Sequence, residues 1–241
     1  SVAQRKMIGR FGWKANVATV AHQTAGAFLG DIGITSSVFS HEICTPAQKD
    51  CLSAPSGGKK LAAAGAPAQG PQGNPVPEID DKTLQEVTFY SATIAPPARR
   101  DARDTQVLAG QKLFAQAQCA VCHRPSYVTA DGPFPRLTSK ALSGQTIHPY
   151  TDLLLHDMGD GLADGRPDFL ASGRQWKTPP LWGIGLIKDV NGHTRLLHDG
   201  RANGVLEAIL WHGGEAEASK QQVLNLRKAE RDALVKFVES L

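Results

Sequence analysis

The chain has 241 residues, with 26 Lys plus Arg against 23 Asp plus Glu and a net charge of +3. At roughly 100–200 residues per domain this is one large or two small domains, and so even a charge balance gives no reason to expect a nucleic-acid or membrane-surface partner. Hydrophobic residues make up 41%, enough for a real core, yet no apolar run approaches the roughly 20 residues of a membrane span.

In chain order, the first helix is expected over residues 18–29. Cys44 and Cys51 follow, close enough in sequence to close a small disulfide loop in an oxidising compartment. Residues 53–78 are rich in Pro, Gly and Ala and read as a long surface loop or linker. Residues 79–94 carry apolar spacing suited to a helix, which Pro96 and Pro97 terminate. A second unit begins near Arg99. Its first helix is expected over 104–118, with Asp104 as cap and Val107, Gly110, Leu113 and Phe114 on one face. The last helix is expected over 225–241, with Leu226, Leu234, Phe237, Val238 and Leu241 as its apolar stripe. Between them, residues 131–200 are rich in Gly and Pro and predict loops around a flat cofactor with little strand. The expected architecture is mainly α, a cytochrome c-like domain over 99–241 with long Pro/Gly-rich loops, preceded by residues 1–98.

The helix of the second unit runs into Cys119-Ala-Val-Cys122-His123. Two thiols separated by two residues reach the two vinyl groups of one haem, and the adjacent His ligates the iron through an imidazole nitrogen. A zinc site needs four ligands, usually two paired cysteine motifs, and Cys44 and Cys51 have the wrong spacing for the second pair. A thioredoxin-like redox pair needs a βαβ context that the chain lacks. The motif therefore predicts one covalent haem c.

The sixth ligand has two candidates. Met158 lies in YTDLLLHDMGDG, 35 residues beyond His123, a distance that suits a loop folding over the distal face. A core Met is the commoner use of that residue type. His212 ends the short amphipathic stretch VLEAILWHGG, stopped by two glycines, beside Trp211. A histidine interacting with the helix dipole is the alternative there. Spacing alone leaves the two open.

Several stretches, among them GRFGWKAN (9–16), CTPAQ (44–48), CAVCHRP (119–125), GQTIHPYTDLLLHDMGDGLADGRPDF (144–169), QWKTPPLWGIG (175–185) and LHDGRANGVLEAILWHGGEAEA (197–218), resemble the C-terminal part of bacterial di-haem oxidoreductases. These are relatives of di-haem cytochrome c peroxidase. The resemblance implies that residues 1–98 are the remnant of a first haem domain plus linker. It also implies that the second axial ligand stands fourteen residues after an HDG motif. Here that motif begins at His198 and the position is His212, so His123 and His212 are the implied pair, with Met158 the alternative and His198 a pocket or propionate-side residue. Trp13, with Thr19 and Gln23 at the family's spacing, is the implied inter-haem electron bridge; a core Trp is the other reading. Asp31, two residues early, is the nearest match to the family's acidic residue in the distal pocket, with helix capping as the other reading.

The family carries two Cys-X-X-Cys-His motifs and this chain has one. The expected function is a c-type haem domain that relays electrons to a peroxidase-like haem outside the chain. The alternatives are direct peroxidase or other oxidoreductase chemistry at this haem, or a haem-binding sensory module. Arg136, Arg166, Arg174, Lys177 and Arg195 are the candidate propionate partners. The expected partners are a small redox protein or a second haem domain. Calcium is a further cofactor of some relatives. Haem c attachment places the expected location in the periplasm; no signal peptide precedes Ser1, which predicts a mature or trimmed chain.

Overall fold

The structure is a computed structural model, and it describes residues 7–55, 57–58, 75–131 and 141–241. Most of the expected 53–78 loop, and Arg136, lie outside the described residues. Two compact units form. One comprises Ser1–Phe11 with Val17–Ile94, the other Gly12–Asn16 with Ala95–Leu241. The boundary lies a few residues before Arg99, and the short segment carrying Trp13 groups with the second unit.

The first unit is built on two helices, α1 (Val20–Ile32) and a longer-capped partner, α3 (Asp81–Thr93), with the short α2 (Lys49–Ser53) between them in sequence. The Thr19 side chain caps α1 by accepting from the His22 amide at 3.1 Å, and Asp80 caps α3 by accepting from the Thr83 amide at 2.7 Å. Each such cap is worth about 1 kcal/mol. Gly33, at φ 67°, lets the chain leave α1 while its amide satisfies the Leu29 carbonyl. Leu29, Leu84 and Thr88 are buried as α1 packs on α3. The Glu78 carboxylate accepts from the Thr35 amide, the Thr35 hydroxyl and the Gly57 amide, at 2.9, 3.1 and 2.8 Å. Cys44 and Cys51 form the expected disulfide, with Cα atoms 5.8 Å apart.

The second unit rests on the crossing of α4 (Thr105–Gln116) and α8 (Lys228–Glu239). Asp104 accepts from the Gln106 and Val107 amides and also binds the Lys236 ammonium at 2.8 Å, so one carboxylate caps α4 and ties it to α8. At Gly110 an added Cβ would fall 2.0 Å from the Ala233 carbonyl oxygen, so only glycine permits this approach. The seam buries Val107, Phe114, Leu234, Phe237 and Val238, at roughly 1.5–3 kcal/mol for each large side chain. Phe114, Tyr150 and Phe237 meet edge to face, with centroids 5.3 to 5.9 Å apart.

Among the described residues, the rest of this unit is loops, short helices and three antiparallel ribbons. β1 (Tyr127–Val128) pairs with β2 (Thr146–Ile147), β3 (Leu155–Asp157) with β4 (Gln175–Lys177), and β5 (Arg195–Leu196) with β6 (Ala202–Asn203). The remaining helices are α5 (Ile187–Asn191), α6 (Val205–Trp211) and α7 (Glu217–Leu224). The fold is mainly α with only short strand pairs, as expected.

Candidate functional site

The site begins where α4 ends. Gln118, at φ 61°, turns the chain into a 3-10 turn over Cys119–Val121, and the His123 amide closes it on the Cys119 carbonyl at 2.9 Å. Cys119 and Cys122 are free thiols. Burial pushes the Cys119 thiol up to about 11. Burial, with the nearby Asp152 and Glu215 charges, also pushes the Cys122 thiol up. Both thiols are therefore protonated at neutral pH.

His123 Nδ1 lies 3.0 Å from the Tyr150 carbonyl oxygen. A carbonyl only accepts, so Nδ1 carries the proton and Nε2 keeps its lone pair. Tyr150 supplies that carbonyl from a left-handed backbone, φ 52°, a conformation costing a bulky residue on the order of 1–3 kcal/mol. Its ring, locked against Phe114 and Phe237, offsets that strain. Burial pushes the His123 imidazole down to about 4, so it stays neutral at pH 7.

His212 caps the C-terminus of α6. Its Nδ1 donates to the Ala208 carbonyl at 2.7 Å, which again leaves Nε2 free. Burial pushes this imidazole down as well. The two ring centroids lie 6.4 Å apart, with the ring planes tilted by 46°. Two imidazoles on opposite sides of one metal ion, each at a bond of about 2 Å with about 1.1 Å more to the ring centre, give a separation of about 6.2 Å. The pair thus has the spacing of two ligands to one ion, with the hydrogen bonds that fix metal-ligating tautomers. Both rings line a cavity of about 620 Å³ together with Cys119 and Cys122. Leu181, Ile184, Leu196, Val205 and Ile209 supply apolar wall, and the volume is within the about 300–1,000 Å³ of cofactor pockets. Two thiols, two neutral imidazoles and apolar walls fit a haem.

Met158 lines the same cavity, and its amide donates to the Arg174 carbonyl. His198 lies in the wall, stacked on Trp176 with centroids 3.6 Å apart and planes 14° from parallel. The Lys14 ammonium sits 3.8 Å from the centre of the same indole. Two groups this close to one ring centre must occupy opposite faces, so Trp176 is sandwiched. Lys14 is held there by Asp164 and the Ser172 carbonyl, both at 3.0 Å. Trp13 also lines the cavity and is half-exposed; its carbonyl accepts from the Lys177 amide. Thr19 caps α1 and Gln23 is exposed on it. Asp31 is exposed in the last turn of α1, outside the cavity walls. Gly33 performs the C-cap there, so Asp31 caps nothing.

Of the candidate propionate partners, Lys177 and Arg195 line the cavity. Arg166 does not, and Arg174 instead pairs with Asp157 and Asp160 at 3.1 and 2.6 Å. One group escaped sequence reasoning. His156 donates from Nε2 to Asp152 and from Nδ1 to Glu215, both at 2.8 Å. Burial pushes its imidazole down, but the two carboxylates outweigh burial and hold it above its ordinary value. Asp152, His156 and Cys122 bring ligand-type atoms within 4.8 Å of one another. Only the i,i+4 spacing of Asp152 and His156 hinted at this; Glu215 is 59 residues away.

No curated protein and no solved structure matches the chain. The family described as "Di-haem oxidoreductase, putative peroxidase" matches residues 4–241. That span includes the thiols, both imidazoles, His198 and Trp13, and haem is the family's cofactor. The chain belongs to the di-haem oxidoreductase family.

Proposed function

We propose that this chain provides a c-type haem electron-transfer site, feeding a peroxidase-like haem that the chain itself does not carry. Cys119 and Cys122 are the thioether anchors, and His123 and His212 the axial ligands. The observation that carries this reading is the imidazole pair: centroids 6.4 Å apart, each Nδ1 committed to a backbone carbonyl.

A haem bound here supplies a one-electron iron couple. The residues do the rest. His123 is held in one tautomer by Tyr150, and His212 by Ala208, so both present a lone pair without first losing a proton. Held between the two imidazoles, the group would be closed to peroxide and water by His123, His212 and the apolar walls. Imidazole on both sides also favours a lower potential than a Met/His pair. Neither imidazole needs to move or change protonation when an electron arrives, which suits a relay. Lys177 and Arg195 are the cations on the cavity wall available to carboxylates of the group. Trp13, half-exposed on the same cavity, is the proposed exit toward a second haem. A small redox protein in the periplasm is the proposed donor.

Met158 on the same cavity supports a second ligation, with sulfur in place of His212. Two measurements separate them. A pyridine haemochrome spectrum should give one haem c per chain. The ferric His212→Ala variant should turn high-spin, while Met158→Leu should keep the parent spectrum. A colourless chain after expression with haem-attachment machinery, or an unchanged His212→Ala spectrum, contradicts the proposal. Peroxide should oxidise the ferrous chain slowly and without saturation; fast saturable oxidation supports direct chemistry at this haem instead.

A further inference from the structure

His212 is the C-cap of a seven-residue helix, α6, and is followed at once by Gly213 and Gly214. A two-glycine exit is a poor anchor for a side chain that must stay in place. The structure supplies one from across the cavity. The 213–214 backbone lies against the end of β3: a Cβ on Gly214 would meet the Asp157 carbonyl oxygen at 2.2 Å, and one on Gly213 the Met158 carbonyl oxygen at 3.0 Å. Glu215 then fastens the segment with both oxygens. Oε1 accepts from the Asp157 amide at 2.9 Å, and Oε2 from His156 Nδ1 at 2.8 Å. His156 is itself held by Asp152, whose amide neighbour Leu154 also binds that carboxylate. Asp152 in turn sits one residue after Thr151, whose hydroxyl is bonded to Thr178 and whose amide is bonded to Arg124, next to His123. Hydrogen bonds, joined by short stretches of backbone, thus link the two imidazole-bearing segments.

Building on the haem reading above, we propose that Glu215 is a positioning residue: through His156 and the Asp157 amide it holds His212 in place as an axial ligand. Releasing it opens the sixth position to a small neutral diatomic ligand. Glu215 touches neither imidazole of the ligand pair, so its effect is exerted entirely through the 212–216 segment. The consequence is a relay haem whose closed state depends on one surface carboxylate.

The test is carbon monoxide binding to the ferrous, haem-loaded chain, where uptake proceeds only as fast as His212 leaves. Glu215→Ala removes two charge-assisted or amide hydrogen bonds and should raise the CO rate about tenfold, the equivalent of one such bond. Glu215→Gln should stay within about twofold of the parent. Its carbonyl oxygen keeps the Asp157 amide, and its NH2 donates to Nδ1 of a neutral His156 that still donates Nε2–H to Asp152. His156→Leu cuts the link from the other side but leaves the Asp157 amide on Glu215, so it should raise the rate by less than Glu215→Ala. Glu86→Ala, an exposed helix position of the first unit, should change nothing. A global loss of packing would slow or spoil all variants alike and would not be rescued by glutamine. If the parent is low-spin and Glu215→Ala takes up CO at the parent rate, the positioning role is overturned while the ligation stands. If the ferrous parent is already five-coordinate, the bis-imidazole reading falls and the positioning role with it.

Discussion

Phe237→Ala tests the packing that supports the candidate ligand His123. Phe237 is fully buried at the α4/α8 crossing. It meets Phe114 at 5.3 Å and Tyr150 at 5.7 Å, both edge to face, and the Arg99 guanidinium lies 5.2 Å from its centroid. Truncating a buried Phe to Ala costs about 3–5 kcal/mol, including the cavity left behind. The two edge-to-face pairs, at about 0.5–1.5 kcal/mol each, place this site in the upper half of that range, at about 4 kcal/mol. That is a large part of the roughly 5–15 kcal/mol that stabilises a folded protein. The loss should be read from urea unfolding followed by far-UV circular dichroism, with the unfolding slope unchanged. Because the Phe237 ring also backs the Tyr150 turn, the variant should broaden the spectroscopic signature of the haem that His123 is proposed to hold before global unfolding. A loss below about 1 kcal/mol would refute the view that this aromatic cluster sets the geometry behind His123.

Three further outcomes are expected. Gly110→Ala should cost at least about 1–3 kcal/mol by overpacking, since its methyl would collide with the Ala233 carbonyl; a neutral melting curve would show that α4 and α8 do not cross this closely. Replacing Cys44 and Cys51 together by Ser should lower the stability of the first unit by about 2.5 kcal/mol on the chain-entropy view, and the same loss should follow reductant in the parent but not in the variant. Glu78 adds a pH dependence. Burial pushes its carboxyl up, but the Thr35 and Gly57 hydrogen bonds outweigh burial and hold it below its ordinary 4.5. The unfolded chain therefore protonates first as pH falls, so this stabilisation is complete above about 4.5 and is lost on further acidification. Glu78→Gln should be less stable than the parent at pH 7, and the gap should narrow as pH falls below about 4.5; a constant gap would place the stabilisation elsewhere.

Much of this molecule was legible from local signals. The helices that carry Val107, Phe114, Leu234 and Phe237 announced themselves by period, and the first of them by Asp104. The cysteine pair at 44 and 51 was readable because a short loop limits its partners. His123 was fixed by its two cysteines, and the resemblance singled out His212. What stayed hidden depends on long-range geometry. Nothing local says that Tyr150 adopts a left-handed turn to aim a carbonyl at His123. Nor does it say that Lys14 and His198 sandwich Trp176, or that Glu215 reaches back 59 residues to His156. The three two-residue or three-residue ribbons are too short to leave a period of two, and the loop region around them gave only its Gly and Pro content. Asp31, matched two positions out of register, stands exposed in the last turn of α1.

The most direct measurement is electron paramagnetic resonance of the ferric, haem-loaded chain at low temperature, combined with near-infrared magnetic circular dichroism. The account predicts a fully low-spin signal with the charge-transfer band of two imidazole ligands, converted to high-spin by His212→Ala. A methionine–iron band, or a high-spin signal in the parent chain, would contradict it.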